Sequence, residues 1–185
     1  MKNSDLARNL IYKTSQDDSA AFAQLFDLYL SKVLQIAGYF IKSEEICHEV
    51  TSDVFLSIWN NRRKLSEVGN FDAYIYTMTK NRAFDYLDKQ SRNPDFLPVS
   101  LEILSPSHTP EDEILHQEAE KVLTSAIQEL PPRCREVFVL AREEGFKYHE
   151  IAKILSISEK TVNTQMVTAI KKVTEALRKY LLFVL

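Results

Sequence analysis

The chain has 185 residues, 45% of them hydrophobic, and a net charge of −3; it can build one large or two small cores, and its charge does not announce a nucleic-acid binder. Only three glycines stand against abundant Leu, Ile, Ala, Glu and Lys, which favours helix almost throughout, and no stretch reaches the roughly 20 apolar residues of a membrane span. Cys47 and Cys134 fit no metal or disulfide spacing and the start Met1-Lys2-Asn3-Ser4-Asp5 is too polar for a signal peptide, so a reduced, cytoplasmic protein is expected.

The charge is unevenly spread. Residues 1–92 carry twelve basic and twelve acidic side chains, residues 93–115 carry five acids and no base, and residues 116–185 carry eleven bases and nine acids. Two stretches are locally basic, 62–92 and 158–179. An acidic linker between two domains accounts for that distribution.

In chain order, Leu6, Leu10 and Ile11 mark a short first helix packed against the next one. Residues 18–40 then place Phe22, Leu25, Phe26, Tyr29, Val33, Ile36, Ala37 and Phe40 at helical spacing, with Asp18 or Ser19 able to cap the start. Ser43 caps a further helix whose first turn holds Glu44 and Glu45, where the dipole favours acids. Ile46, Val50, Val54 and Ile58 form its apolar line, widened by Phe55 and Trp59. Its other face shows Glu45, Glu49, Ser52 and Asp53, which on composition alone a solvated surface explains more readily than a binding role. Cys47-His48 diverge by about 100° on a helix and make no metal pair.

Residues 60–70 are polar and include Arg62-Arg63-Lys64, and read as a loop of about ten residues. The helix from Phe71 or Asp72 to about Ser91 interleaves Phe71, Tyr74, Tyr76, Phe84 and Tyr86 with Lys80, Asn81, Arg82 and Lys89. More rings occur than one buried stripe can hold, so some are expected to face outward. Rings beside cations suit single-stranded nucleic acid; an aromatic-rich core helix with a wetted face is the alternative.

Residues 93–113 contain four prolines and no helical period, and read as an extended linker. Thr109 then caps a helix with Pro110 at its first position, carrying Ile114, Leu115, Val122, Leu123, Ile127 and Leu130. Pro131-Pro132 start another, with Val137, Phe138, Leu140 and Ala141 inward and Gly145 at its end. Ile151, Ala152, Ile154 and Leu155 follow as an apolar stripe, interrupted at Ser156 to Ser158, with Ser158 capping the next helix. That last helix is expected to bury Val162, Val167, Ile170, Val173 and Leu177 and to show Thr161, Asn163, Thr164 and Gln165. This is the sequence form of a helix-turn-helix, whose second helix can enter a DNA major groove. An apolar tail, residues 180–185, closes the chain.

The order of these features resembles the extracytoplasmic-function group of bacterial RNA polymerase sigma factors. The first part is similar in Ala21-Phe22-x-x-Leu25-Phe26-x-x-Tyr29, Glu44-Glu45-Ile46 through Asp53-Val54-Phe55-x-x-Ile58-Trp59, Phe71-x-Ala73-Tyr74-Ile75-Tyr76 and Asn81 to Leu87. The second is similar in Leu130-Pro131-Pro132-Arg133-x-Arg135-Glu136-Val137-Phe138, Gly145-Phe146-x-Tyr148-x-Glu150-Ile151-Ala152 and Ser158-x-x-Thr161-Val162. The resemblance implies an all-α protein of two helical domains joined by a flexible linker. Residues 1–92 would bind core polymerase and the minus-ten element, 93–112 would be the linker, and 113–185 would hold the helix-turn-helix for the minus-thirty-five element.

It implies residue roles as well. Glu49, Asp53 and Trp59 would meet the clamp helices of the largest polymerase subunit. Arg62, Arg63 and Asn70 would belong to the segment holding an extruded minus-ten base. Tyr76, Lys80, Asn81 and Arg82 would track the separated strand. Lys160 and Lys171 would neutralise phosphates, while Thr161, Asn163, Thr164, Gln165 and Thr168 would lie along the duplex, Asn and Gln suiting adenine. Many relatives have arginine where Gln165 and Thr168 stand, a basic residue at Thr77 and Asp88, and glycine at Ser156.

The implied partners are core RNA polymerase, promoter DNA and an anti-sigma protein clamping both domains, with no small-molecule substrate. No enzyme, metal or cofactor is expected: His48, His108, His116 and His149 are scattered, and no nucleophile or phosphate loop stands out. Two other readings use the same features differently. One is a regulator binding duplex DNA alone, with residues 1–92 as a sensor; the other is an adaptor whose aromatics and apolar tail bind proteins. The aromatic, cationic helix 71–91 favours the sigma reading, because a sensor has no need of it.

Overall fold

The computed structural model describes residues 2–92 and 120–184, with side chains from 5 to 89 and from 120 to 180. The linker expected over 93–112, the Thr109-Pro110 start, Ile114, Leu115, His108, His116 and the side chains of the tail after Tyr180 lie outside the described residues. The chain divides into two compact units, residues 1–101 and 102–185. Every described element is helical, as the scarcity of glycine and the apolar periods require.

The first unit holds α1 (Lys2–Ser15), α2 (Ser19–Gly38), α3 (Glu44–Asn60), a 3-10 helix (Arg62–Glu67) and α4 (Phe71–Arg92). The chain reverses between α1 and α2 at Asp17, whose φ of 68° is a left-handed conformation that a short polar side chain tolerates. Asp18 then caps α2, its Oδ1 accepting from the Ala21 N–H at 2.9 Å. Leu25, Val33, Ile36 and Ala37 on α2 meet Val50, Val54, Phe55 and Ile58 on α3 and Ile75 and Ala83 on α4 in one core. Each large side chain withdrawn from water there contributes about 1.5–3 kcal/mol. Ser43 caps α3, its hydroxyl accepting from the Ile46 N–H at 3.5 Å. On α1 the inward residues are Ala7, Leu10 and Thr14, whereas Leu6 is exposed.

Residues 60–70 are not a plain loop. Arg62–Glu67 wind into the 3-10 helix, which packs against α1 and is anchored by Leu65 at 1% exposure. A single buried leucine among polar neighbours leaves no periodicity to read.

In the second unit, residues 120–128 are helical (α5), followed by α6 (Pro132–Phe138), one π-helical turn (Val139–Glu143), α7 (Tyr148–Leu155) and α8 (Glu159–Val184). Gly145 ends the π turn at φ 70°, and the Phe146 N–H reaches back to the Leu140 carbonyl at 2.9 Å. Glu150 accepts from the Lys147 N–H at 2.8 Å at the start of α7. Ser156 ends α7 in a left-handed conformation, φ 53° and ψ 47°. Ser158 caps α8, accepting from the Thr161 N–H at 3.0 Å.

The buried stripe of α8 departs from expectation. It is Val162, Met166, Ala169 and Val173, spaced by four, three and four, while Val167 is 61% exposed and Ile170 is exposed too. A step of five from Val162 to Val167 turns about 140° around a helix, which carries Val167 off the inner face.

Candidate nucleic-acid and polymerase interfaces

Glu45, Glu49, Ser52 and Asp53 all lie exposed on the outer face of α3, joined by the exposed Leu56. The buried line Ile46, Val50, Val54 and Ile58 forces that arrangement, because residues one position before it or two after it are turned about 100° or more away from it. Trp59 is half-buried. Its ring lies 5.0 Å from Phe22 on one side and 4.2 Å from the Arg62 guanidinium on the other.

Arg62 and Arg63 converge on Asp17: Arg62 Nε reaches Oδ1 at 2.5 Å and Arg63 Nη2 reaches Oδ2 at 3.1 Å. The Arg63 hydrogen bond, then that of Arg62, hold the Asp17 carboxyl below its usual range. The basic triplet is therefore partly occupied in fastening the 3-10 helix to the turn after α1. Beside it runs a groove of about 740 Å³ between α1, α2 and the start of α4, with Arg8, Tyr12, Lys32, Ser66, Asn70 and Asp72 among its walls. Lys32 pairs with Asp72 at 2.7 Å, and Asn70 caps α4 by accepting from the Ala73 N–H at 3.0 Å.

Tyr76 does not face outward. It is fully buried, with its ring 6.5 Å from Phe40, so in the folded unit it cannot stack on a base. The step from Tyr76 to its buried neighbours Thr79 and Ala83 keeps all three on one face, a match the abundance of rings had hidden. The partly exposed rings of α4 are Tyr74, Phe84 and Tyr86. Lys80 sits 5.8 Å over Phe84; Asn81 and Arg82 are exposed, and Arg82 Nη2 donates to Ser57 Oγ at 2.9 Å. Burial, then the charges of Glu49 and Glu45, push the Tyr86 hydroxyl up, which places this end of α4 beside the acidic face of α3.

On α8, Lys160, Asn163, Thr164 and Lys171 are exposed. Thr164 donates its hydroxyl to the Lys160 carbonyl at 3.0 Å and Thr168 donates to that of Thr164 at 3.1 Å. The Thr161 hydroxyl is 2.8 Å from that of the capping Ser158. Half-buried Gln165 accepts from the Cys134 thiol at 2.8 Å. The sequence places four of these five side chains on the duplex through polar groups that the fold has already engaged; Asn163 is the exception. Both thiols are buried and pushed up in pKa, Cys134 by burial and Cys47 to about 11 by burial and then Glu44. Among the described residues there is no cluster of three His, Cys, Asp or Glu able to hold a metal, and no helix long and apolar enough to cross a membrane.

Sigma-70 region 2 matches residues 25–93, and Sigma-70, region 4 matches residues 120–173. The chain is 25% identical over 185 residues to the ECF RNA polymerase sigma factor SigW of Bacillus subtilis, covering 95% of this chain and 97% of that protein. It is 27% identical over 169 residues to the ECF RNA polymerase sigma-E factor of Haemophilus influenzae, covering 86% and 89%. The chain belongs to the extracytoplasmic-function group of RNA polymerase sigma factors. Its fold agrees with CnrH, solved with the cytosolic domain of CnrY, at TM-score 0.64 and 21% identity over 94% of this chain and 98% of that one. It also agrees with RpoE of Bartonella quintana, solved with the anti-sigma factor NepR, at TM-score 0.67 and 17% identity over 85% and 96%.

Two structural anchors were not predicted from the sequence. Asp17 reads as a helix-end acid until its left-handed backbone turns it toward Arg62 and Arg63. Arg135 reads as one more surface cation, yet it donates to the carbonyls of Ile127 and Leu130, each at 3.1 Å, and to that of Gln128. Only its place in the Pro-Pro-Arg-x-Arg-Glu motif hinted at a fixed role.

Proposed function

We propose that the chain directs promoter-specific initiation by binding alone: residues 1–92 grip core polymerase and the opened minus-ten strand, residues 93–112 connect, and residues 113–185 hold the upstream duplex. The outer face of α3 supplies the polymerase contact through Glu49 and Asp53, with Trp59 at its edge. Lys80, Asn81 and Arg82 supply charge and hydrogen bonds to the separated strand, and the groove beside Asn70 takes an extruded base, with Arg62 and Arg63 at its approach. Lys160 and Lys171 neutralise upstream phosphates, Asn163 reads a base edge, and Thr161, Thr164, Gln165 and Thr168 complete the surface.

The observation that carries this reading is the outer side of α4, where the partly exposed Tyr74 and Phe84 stand with Lys80 and Asn81, and Arg82 lies at the edge toward α3. Rings and cations together fit unpaired bases and their phosphates, which a protein reading only duplex never meets. The protein works in the cytoplasm, where polymerase is, and carries no catalytic group of its own.

Mixing the purified chain with core polymerase tests the reading: specific initiation is expected at a responsive promoter. No core binding together with tight binding to duplex alone would favour the free-standing regulator. Asp53→Arg reverses one charge on an exposed position and should weaken core binding by at least tenfold while leaving the helical circular dichroism intact; unchanged affinity removes the role from that face.

An anti-sigma protein is the proposed antagonist, in keeping with the NepR complex of the similar fold. It would cover the same α3 face. Leu56, exposed among the acids, is a fitting apolar contact, so Leu56→Asp should relieve inhibition in a competition assay against core polymerase.

A further inference from the structure

Val167 has no structural reason to be where it is. It is 61% exposed in the middle of α8, on the side away from the buried stripe Val162, Met166, Ala169 and Val173. Valine is a poorer helix former than alanine, so an exposed valine gains nothing for the helix. At about 100° per residue, Val167 points within roughly 20° of Lys160 and within about 40° of Lys171, and Asn163 stands one turn before it. It therefore lies on the centre line of the surface that carries the two exposed cations.

The neighbouring side chains leave that line apolar. The hydroxyls of Thr164 and Thr168 are each turned back onto a carbonyl of the helix itself. Asn163 is the exposed amide of this stretch, Gln165 being half-buried. The surface thus reads as one adenine-competent amide, then an apolar patch centred on Val167, bracketed by Lys160 and Lys171. Protein partners would also accept an exposed valine, but two bracketing lysines and an amide favour a polyanion with polar base edges.

We propose that Val167 is a specificity-determining residue of this recognition helix, packing on the C5-methyl group of a thymine in the upstream element beside the base read by Asn163. Thymine is the only base that offers a methyl group in the major groove, so an apolar contact there selects T·A over the other pairs. The proposal rests on the reading of α8 as the duplex-facing helix.

The test uses holoenzyme reconstituted with the full-length chain. Preferred upstream elements are selected from a randomised duplex, and each thymine in the winner is replaced by deoxyuracil, which removes the methyl and nothing else. For the unaltered chain, one replacement should weaken promoter binding about threefold to tenfold. With Val167→Ala the same replacement should cost less than about twofold, and the selected element should lose its preference for thymine at that position. Insensitivity to every replacement, or equal sensitivity with Val167→Ala, overturns the proposal and leaves Val167 to a protein partner. The parent reading fails separately: Lys160→Ala and Lys171→Ala would then change neither binding nor its salt dependence. Because Val167 is solvent-facing, Val167→Ala is expected to keep its melting temperature.

Discussion

Ser156 holds a left-handed backbone at φ 53° and ψ 47° where α7 must turn into α8. Its Cβ is crowded against the following carbonyl there, a strain of about 1–2 kcal/mol that glycine would not feel. Ser156→Gly relieves it but enlarges the freedom of the unfolded chain, so the net gain should be about 0.5–1 kcal/mol. That corresponds to a rise of roughly 2–6 °C in the melting of the second unit, read by calorimetry; a fall would mean that Ser156 makes a compensating contact. Asp17 presents the opposite case, a left-handed residue whose side chain is needed. Its carboxyl is held below the ordinary range by Arg63 and Arg62, so its contribution is complete above about pH 4 and is lost as pH falls through the lowered value. Trp59 is the only tryptophan and carries the Arg62 guanidinium on its ring, so its fluorescence reports the tie. In a difference titration, Asp17→Asn should remove a transition lying below about pH 4 and should already show a loosened Trp59 signal at neutral pH. Superimposable titrations would show that the ion pairs do not hold the 3-10 helix.

At the scale of elements, α5 ends against α6 through Arg135 rather than through a glycine or a Schellman turn. The carbonyls of Ile127, Gln128 and Leu130 receive its guanidinium at the C-terminal end of α5, where carbonyls run out of helical donors, and that of Ile127 also accepts from the Leu130 N–H at 3.1 Å. Arg135→Leu keeps bulk but removes those hydrogen bonds, and should cost about 1–3 kcal/mol. The melting of the second unit should drop while the first unit's transition stays in place; a loss below about 0.5 kcal/mol would mean that water replaces the guanidinium. Helices and caps were legible because each has a local chemical signature: Asp18, Ser43 and Ser158 stand one residue before an apolar period and do accept from the N–H three residues on. What failed was tertiary. Tyr76 is amphipathic, and only packing against Phe40 decides that it goes inside. Val167 and Ile170 are apolar and lie near the period, yet a one-residue drift in phase takes them to the surface. The 3-10 helix depends on Leu65 finding α1, a contact distant in sequence. Of the site, the acidic face of α3, the basic triplet and the polar residues of α4 and α8 were readable as residues; the engagement of Arg62 and Arg63 by Asp17, of Arg82 by Ser57, and of Thr164 and Thr168 by backbone carbonyls was not.

For the whole molecule, a net charge of −3 sets how the pieces act together. The basic stretches 62–92 and 158–179 are diluted by acids elsewhere, so the free chain should hold duplex DNA weakly and depend on polymerase to bring DNA to it. Each unit also has its own buried core. Lys160→Ala and Lys171→Ala should each lower the slope of log K against log salt by about 1, and should weaken closed-complex formation without slowing strand opening. Lys80→Ala should do the reverse: recruitment nearly unchanged, and fewer unpaired thymines reactive to permanganate around the start site. Combining Lys80→Ala with Lys171→Ala should then give free-energy losses in promoter occupancy that add to within about 0.5 kcal/mol. A coupling well beyond that would mean that the units do not act as separate grips on the promoter, and that α8 helps to open the DNA as well as to hold it.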